Sequence, residues 1–145
     1  MRDAVIVSTA RTPIGKAYRG AFNATTPQAL LGHAVSHAVH RAGIEPGAVQ
    51  DCIVGSALQQ GHQGGNIARQ GALAAGLPVT VAGMSLDRQC ASGMMAIATA
   101  AKQVVTDGMD VAVGGGVESI SLVQTPDMRV SRDPGLVATK PEIYM

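Results

Sequence analysis

Hydrophobic and polar positions along this chain switch between two rhythms. "DAVIVSTA" (3–10) is a short β-branched apolar run, the pattern of a buried strand. A loop punctuated by Pro13, Gly15 and Gly20 follows. "TTPQALLGHAVSHAVHRAG" then carries helix signals in order: Thr26 as N-cap, Pro27 at the first helical position and Gly43 as the stop. "DCIVGSAL" (51–58) predicts a second strand. "QQGHQGGNIARQGALAAGLP" reads as a Gly-rich turn entering a short helix that Gly76 and Pro78 end. "VTVAGMSL" (79–86) predicts a third strand, Cys90 to about Asp107 a third helix, and "DVAVGGG" (110–116) a fourth strand.

The order β-α-β-α-β-α-β predicts an α/β fold, a mostly parallel sheet with helices packed on it. The third helix is unusual. Met94, Met95, Ile97, Ala98, Ala100, Ala101, Val104 and Val105 surround nearly its whole circumference. A helix apolar all round is expected in the middle of something larger than four strands and three helices. After Glu118 the period fails and no terminal helix is predicted. The chain therefore divides into an α/β unit over 1–117 and an irregular region over 118–145.

Composition narrows the function classes. The chain has 145 residues, 46% hydrophobic and 14% charged, enough for a core and unlike a disordered segment. With no Trp, two Tyr and one Phe, stacking on nucleic-acid bases is disfavoured. A net charge of +1 gives no electrostatic reason for DNA, RNA or a membrane surface. No stretch approaches the roughly 20 apolar residues of a membrane span. The first apolar run is broken by Arg11 and Pro13, unlike a signal peptide. Cys52 and Cys90 do not make a disulfide framework, so a reducing cytoplasm is the expected compartment.

Candidate chemistry centres on Cys90, placed between a β-like run and an apolar helix and followed by the small residues Ala91, Ser92 and Gly93. Unpaired N–H groups and the macrodipole at a helix N-terminus favour a thiolate by roughly 0.3–1 kcal/mol. The same N–H groups can cradle an oxyanion. On position alone, a small buried cysteine at a strand–helix turn fits as well as a nucleophile. Cys52 lies inside an apolar strand and reads as a core thiol. His33, His37 and His40 fall at i, i+4 and i+7, beside a buried face of Leu30, Leu31, Ala34, Val35, Ala38 and Val39. They are expected to face solvent, and no carboxylate or cysteine nearby completes a metal set. His62 is expected to be an ordinary loop residue. Neither "GSALQQGHQGGNIARQ" nor "VGGGVES" has the spacing of a nucleotide loop. Their glycines are expected to let backbone approach backbone.

Four segments in order carry a family resemblance: "VSTARTPIGK", "GGNIARQGALAAGLP", "SLDRQCASGMMAIATAAKQV" and "GGGVESIS". Together they resemble the N-terminal part of the thiolases, and the third resembles the segment that carries their acyl-enzyme cysteine. The resemblance implies acyl transfer between coenzyme A and a 3-ketoacyl-CoA, by thiolytic cleavage or the reverse Claisen condensation. It makes Cys90 the nucleophile that takes the acyl group as a thioester, its backbone N–H contributing to the oxyanion hole. It implies no permanently bound cofactor and no metal, with coenzyme A and acyl-CoA as substrates. It implies half of a five-layer αβαβα sandwich, in a dimer or tetramer. The division of the chain then becomes a half-domain over 1–117, short of its last strand, and the start of a loop region over 118–145.

Two departures stand out. Thiolases often carry Asn where this chain has Asp87, which bears on a local hydrogen bond. In the family an activating His, a second acid/base Cys and a coenzyme A-binding loop region lie in later sequence. No His follows His62 here, so a second polypeptide is expected to supply that half. "DRQCASG" and "GVESIS" lean toward degradative 3-ketoacyl-CoA thiolases. A ketoacyl synthase-like condensing enzyme, and a truncated or partner-binding module, are the alternatives. A second Cys in the remaining half would mark a thiolase and a His pair a synthase.

Overall fold

β1 (Asp51–Gly55) lies between β2 (Ala82–Leu86) and β3 (Ala112–Gly116), and both neighbours run parallel to it. The structure is a computed structural model that describes residues 2–128 and 132–144. All five residues of β1 are buried, as its apolar run predicts. Its side chains alternate between two cores. Cys52 and Val54 pack with Leu31, Val35, Ile67, Ala68 and Ala72, which come from α1 (Pro27–Ala42) and α2 (Ile67–Ala74). Ile53 packs on the opposite face with Ala96 and Ala100 of α3 (Ser92–Lys102). The arrangement is three layers, α1 and α2 over the sheet and α3 beneath it.

The predicted caps of the first helix are the observed ones. Thr26 Oγ1 accepts from Ala29 N at 3.3 Å, Pro27 opens the helix, and Gly43 ends it at φ 67°. α2 starts differently. Asn66 adopts φ 65°, its Oδ1 accepts from Arg69 N at 3.2 Å, and its Nδ2 donates to Gly83 O at 2.8 Å. One side chain thus caps α2 and fastens it to β2.

Several expectations need correction. Residues 3–10 are not a strand, and Val5, Ile6 and Val7 are 76, 76 and 73% exposed. The segment is held through its ends. Arg2 pairs with Asp110 and donates to Gly108 O, and Arg41 Nη1 donates to Thr9 O at 3.0 Å. A strand needs a neighbour to pair with, and among the described residues none lies beside this segment. The three remaining strands are shorter than their apolar runs: 51–55, 82–86 and 112–116. The long third helix is α3 followed by a π-turn over Gln103–Asp107, which Gly108 ends at φ 78°.

Only Ser92, Ala96 and Ala100 of α3 are buried, and Met94 and Ile97 are 72 and 47% exposed. The all-round apolar helix is therefore covered on one side. Beyond Glu118, where the period fails and no terminal helix is predicted, the described residues include two short α-helices, α4 (Ile120–Val123) and α5 (Pro134–Thr139). Asp133 Oδ1 caps α5 by accepting from Leu136 N at 2.8 Å. The rest of that expectation falls partly on 129–131 and 145, outside the described residues.

Candidate active site

β1, β2 and β3 point their C-terminal ends to one edge of the sheet, and the turn carrying Cys90 rises there. In open parallel sheets this edge is where ligands bind. β2 ends at Leu86, α3 begins at Ser92, and Asp87–Ala91 joins them. Cys90 therefore sits two residues before the helix rather than as its first residue, and it is exposed. Ala91 makes no side-chain cap, so no side chain at that position covers the first N–H groups of α3.

The turn is strained and tied. Gln89, immediately before the cysteine, has φ 51°, in the left-handed region that residues other than glycine seldom occupy. Asp87 Oδ1 accepts from Gln89 N at 2.7 Å, so the carboxylate found where thiolases often carry Asn makes its own local bond. Ser92 Oγ accepts from Arg88 N at 2.7 Å and donates to Gln89 O at 2.6 Å. Ser92 N also donates to Gln89 O, at 3.0 Å. The helix start rests directly on the sheet. A Cβ at Gly55 would overlap the Ser92 carbonyl, and one at Gly116 would lie 3.1 Å from Gly93 Cα. Of the glycines expected to let backbone meet backbone, Gly55 at the head of "GSALQQGHQGGNIARQ" and Gly116 of "VGGGVES" do so, whereas Gly61 and Gly65 face the side chains of Met128 and Gln70.

A buried polar clamp joins the loops after β1 and β3, and sequence reasoning missed it. Gln63 is 1% exposed. Its Nε2 donates to Ser56 Oγ at 2.8 Å, to Leu58 O at 3.0 Å and to Glu118 Oε1, and its Oε1 accepts from Ser119 N. Glu118 also accepts from Ala57 N at 2.8 Å and Leu58 N at 3.2 Å. No motif announces this clamp, because its residues come from a Gly-rich turn and from the end of a strand 55 positions later. Glu118 also lines a cavity of about 300 Å³ with Thr12, Lys16, Phe22 and Ser121. Cys90 does not line that cavity; its thiol stands on open surface.

The other candidates separate cleanly. Cys52 is buried, and its thiol is pushed up to about 12, first by burial and then by the nearby Asp51 carboxylate. His33, His37 and His40 face solvent as expected, the rings of His33 and His37 being 4.4 Å apart. His62 is exposed in a short turn, and its carbonyl accepts from Gln28 Nε2. Among the described residues no three His, Cys, Asp or Glu side chains converge as a metal set. No helix among them is long and apolar enough to cross a membrane.

Comparison with known proteins places this geometry. Residues 4–140 match the model of the thiolase N-terminal domain. The chain is 41% identical over 147 aligned positions to a 3-ketoacyl-CoA thiolase of Bacillus subtilis, an alignment covering all of this chain and 37% of that protein. It is 40% identical over 118 positions to an acetyl-CoA acetyltransferase of Rhizobium meliloti, covering 81% of this chain and 30% of that one. The crystal structure of the Bacillus anthracis acetyl-CoA acetyltransferase superposes with a TM-score of 0.79 at 38% identity, covering 92% of this chain and 35% of that one. The chain belongs to the thiolase family, and what it contains is the family's N-terminal domain. It spans 37% or less of the length of these relatives.

Proposed function

We propose that this chain is the acyl-accepting part of a thiolase and that Cys90 carries the acyl group. The observation that carries the reading is the exposed thiol on a strained turn at the C-terminal edge of the sheet, in a chain matched by the thiolase N-terminal domain. In thiolysis the Cys90 sulfur attacks the C3 carbonyl of a 3-ketoacyl-CoA. The C2–C3 bond breaks, and its electron pair leaves on C2, which takes a proton and departs as acetyl-CoA. The sulfur of a free coenzyme A then attacks the Cys90 thioester. A shortened acyl-CoA leaves and the thiol is restored. Condensation is the same sequence reversed. Each tetrahedral intermediate places negative charge on the carbonyl oxygen, which the backbone N–H of Cys90 would help to stabilise.

A sulfur nucleophile needs a base within about 2.6–3.2 Å, directly or through one water. The His residues of this chain lie on α1 and in the 61–63 turn, none of them in the Cys90 turn. We assign the base, the acid that protonates C2, and most of the coenzyme A site to a C-terminal half outside these residues. The exposed side of α3, with Met94 and Ile97, and the open edge of β3 are the surfaces such a half would cover. Residues 1–117 then form the half-domain and 118–145 begin its loop region. The working enzyme is a cytoplasmic dimer or tetramer of assembled units.

The test is 3-ketoacyl-CoA cleavage, with size-exclusion chromatography, of the 145-residue chain alone and of the chain assembled with a thiolase C-terminal half. Turnover is expected only in the assembly, and the lone chain is expected to self-associate. A monomeric, active lone chain would overturn the division of labour.

A further inference from the structure

We propose that Ser92 is a positioning residue for Cys90, its hydroxyl tying off the turn that presents the thiol. The proposal rests on Cys90 being the acyl acceptor.

Gln89 holds a left-handed conformation without being glycine, and such a residue stays there only when its surroundings fix it. Ser92 supplies that fixing from both sides of the strained residue. Its Oγ takes the Arg88 N–H, and its Oγ–H and N–H both reach the Gln89 carbonyl. Cys90 is the next residue along, so the peptide that Ser92 holds is the one entering the cysteine.

Both Oγ bonds run backward, out of the helix. A serine serving α3 itself would stand at the N-cap and accept from the first turn, but that position is Ala91 and makes no side-chain bond. The hydroxyl has therefore been used for the turn and not for the helix. Ser92 is also fixed in space. It is 4% exposed, and its carbonyl rests on Gly55 at the end of the central strand. Sheet, Ser92 and turn form one rigid path that ends at the thiol, which a base in a separate half must meet within a fraction of an ångström.

The experiment measures the single-turnover rate and KM for acylation of Cys90 in the assembled enzyme, with the acylated peptide mapped. Four forms are compared: wild type, Ser92→Ala, Ser92→Ala with Gln89→Gly, and Gln89→Gly alone. Displacing a reacting group by about 1 Å can cost about 100-fold, so Ser92→Ala is expected to slow acylation about 10- to 100-fold with little change in KM. Glycine takes positive φ without a tether, so the double variant should recover much of the rate that Ser92→Ala loses, and Gln89→Gly alone supplies the rate against which that recovery is measured.

A wild-type rate in Ser92→Ala would overturn the proposal. So would a double variant as slow as Ser92→Ala, because a helix-stabilising serine would not be rescued at Gln89. If Ser92→Ala does not fold, Ser92→Thr against Ser92→Val replaces it, two side chains of one shape differing in the hydroxyl. Thr is then expected to be fast and Val slow, and equal rates would overturn the proposal. Acylation of wild type at a residue other than Cys90 would be a failure of the underlying reading instead.

Discussion

Gly55 and Ser92 meet backbone to backbone, with no room for a side chain at residue 55. The end of the central strand thereby sets the height at which α3, and the turn before it, leave the sheet. Gly55→Ala is expected to push the helix start outward. Overpacking of this kind costs about 1–3 kcal/mol. Urea denaturation should show that loss, and iodoacetamide labelling of Cys90 should change rate in the same variant. A fully stable Gly55→Ala chain with wild-type labelling would show that the contact does not position the turn.

The Gln63 amide is expected to matter more than the carboxylate it touches. Gln63→Ala removes a buried side chain and strands the Ser119 N–H. A buried group left without its partner costs about 1–3 kcal/mol, before any cavity term. Glu118→Gln keeps an acceptor oxygen at an exposed position and should cost less. Paired urea curves on the two variants test the order, and the reverse order would show that the clamp is held by charge.

The two thiols should part by reactivity. Limiting iodoacetamide at neutral pH is expected to modify Cys90 and leave Cys52, which is buried and stays protonated. Peptide mapping that found Cys52 labelled first would contradict the burial shown here.

Cys52 also makes an alkaline prediction. Its thiol ionises at 9.0 in an ordinary environment and at about 12 in the fold. Below pH 9 both states hold the proton, and the fold loses nothing. From pH 9 toward 12 the unfolded chain releases the proton and the folded chain keeps it, so stability falls across that window. At about pH 10.5 the fall from this group is on the order of 2 kcal/mol. Cys52→Ala lacks it, so its stability should decline less steeply between pH 8.5 and 10.5 than that of wild type. Parallel declines would remove Cys52 as a cause.

Local signals carried much of the fold. Thr26, Pro27 and Gly43 bounded α1 to the residue because capping is decided within a few positions of the helix end. The central strand was legible in "DCIV" for a similar reason, its apolar run needing cover on both faces. Pairing was not legible. "DAVIV" has the composition of a strand, yet Val5 to Val7 lie exposed because pairing depends on what stands beside a segment. The site divides in the same way. Cys90 stood out from its place at a strand–helix junction, and the family resemblance supplies the role proposed for it. The positive φ at Gln89 and the backward bonds of Ser92 leave no composition signal, since Gln does not mark a left-handed position as Gly or Asn would and a Ser hydroxyl can bond in either direction. The Gln63–Glu118 clamp joins residues 55 positions apart, beyond the reach of any local pattern.

The measurement closest to the central claim is the site of acyl transfer. The chain, assembled with a thiolase C-terminal half, is incubated with acetyl-CoA, quenched in acid, digested and mapped by mass spectrometry. Acetyl is expected on the Cys90 peptide of wild type and on no residue of Cys90→Ser, because a serine hydroxyl is far harder to ionise than a thiol. Acetyl on another residue of wild type, or acetylation that persists in Cys90→Ser, would contradict the account.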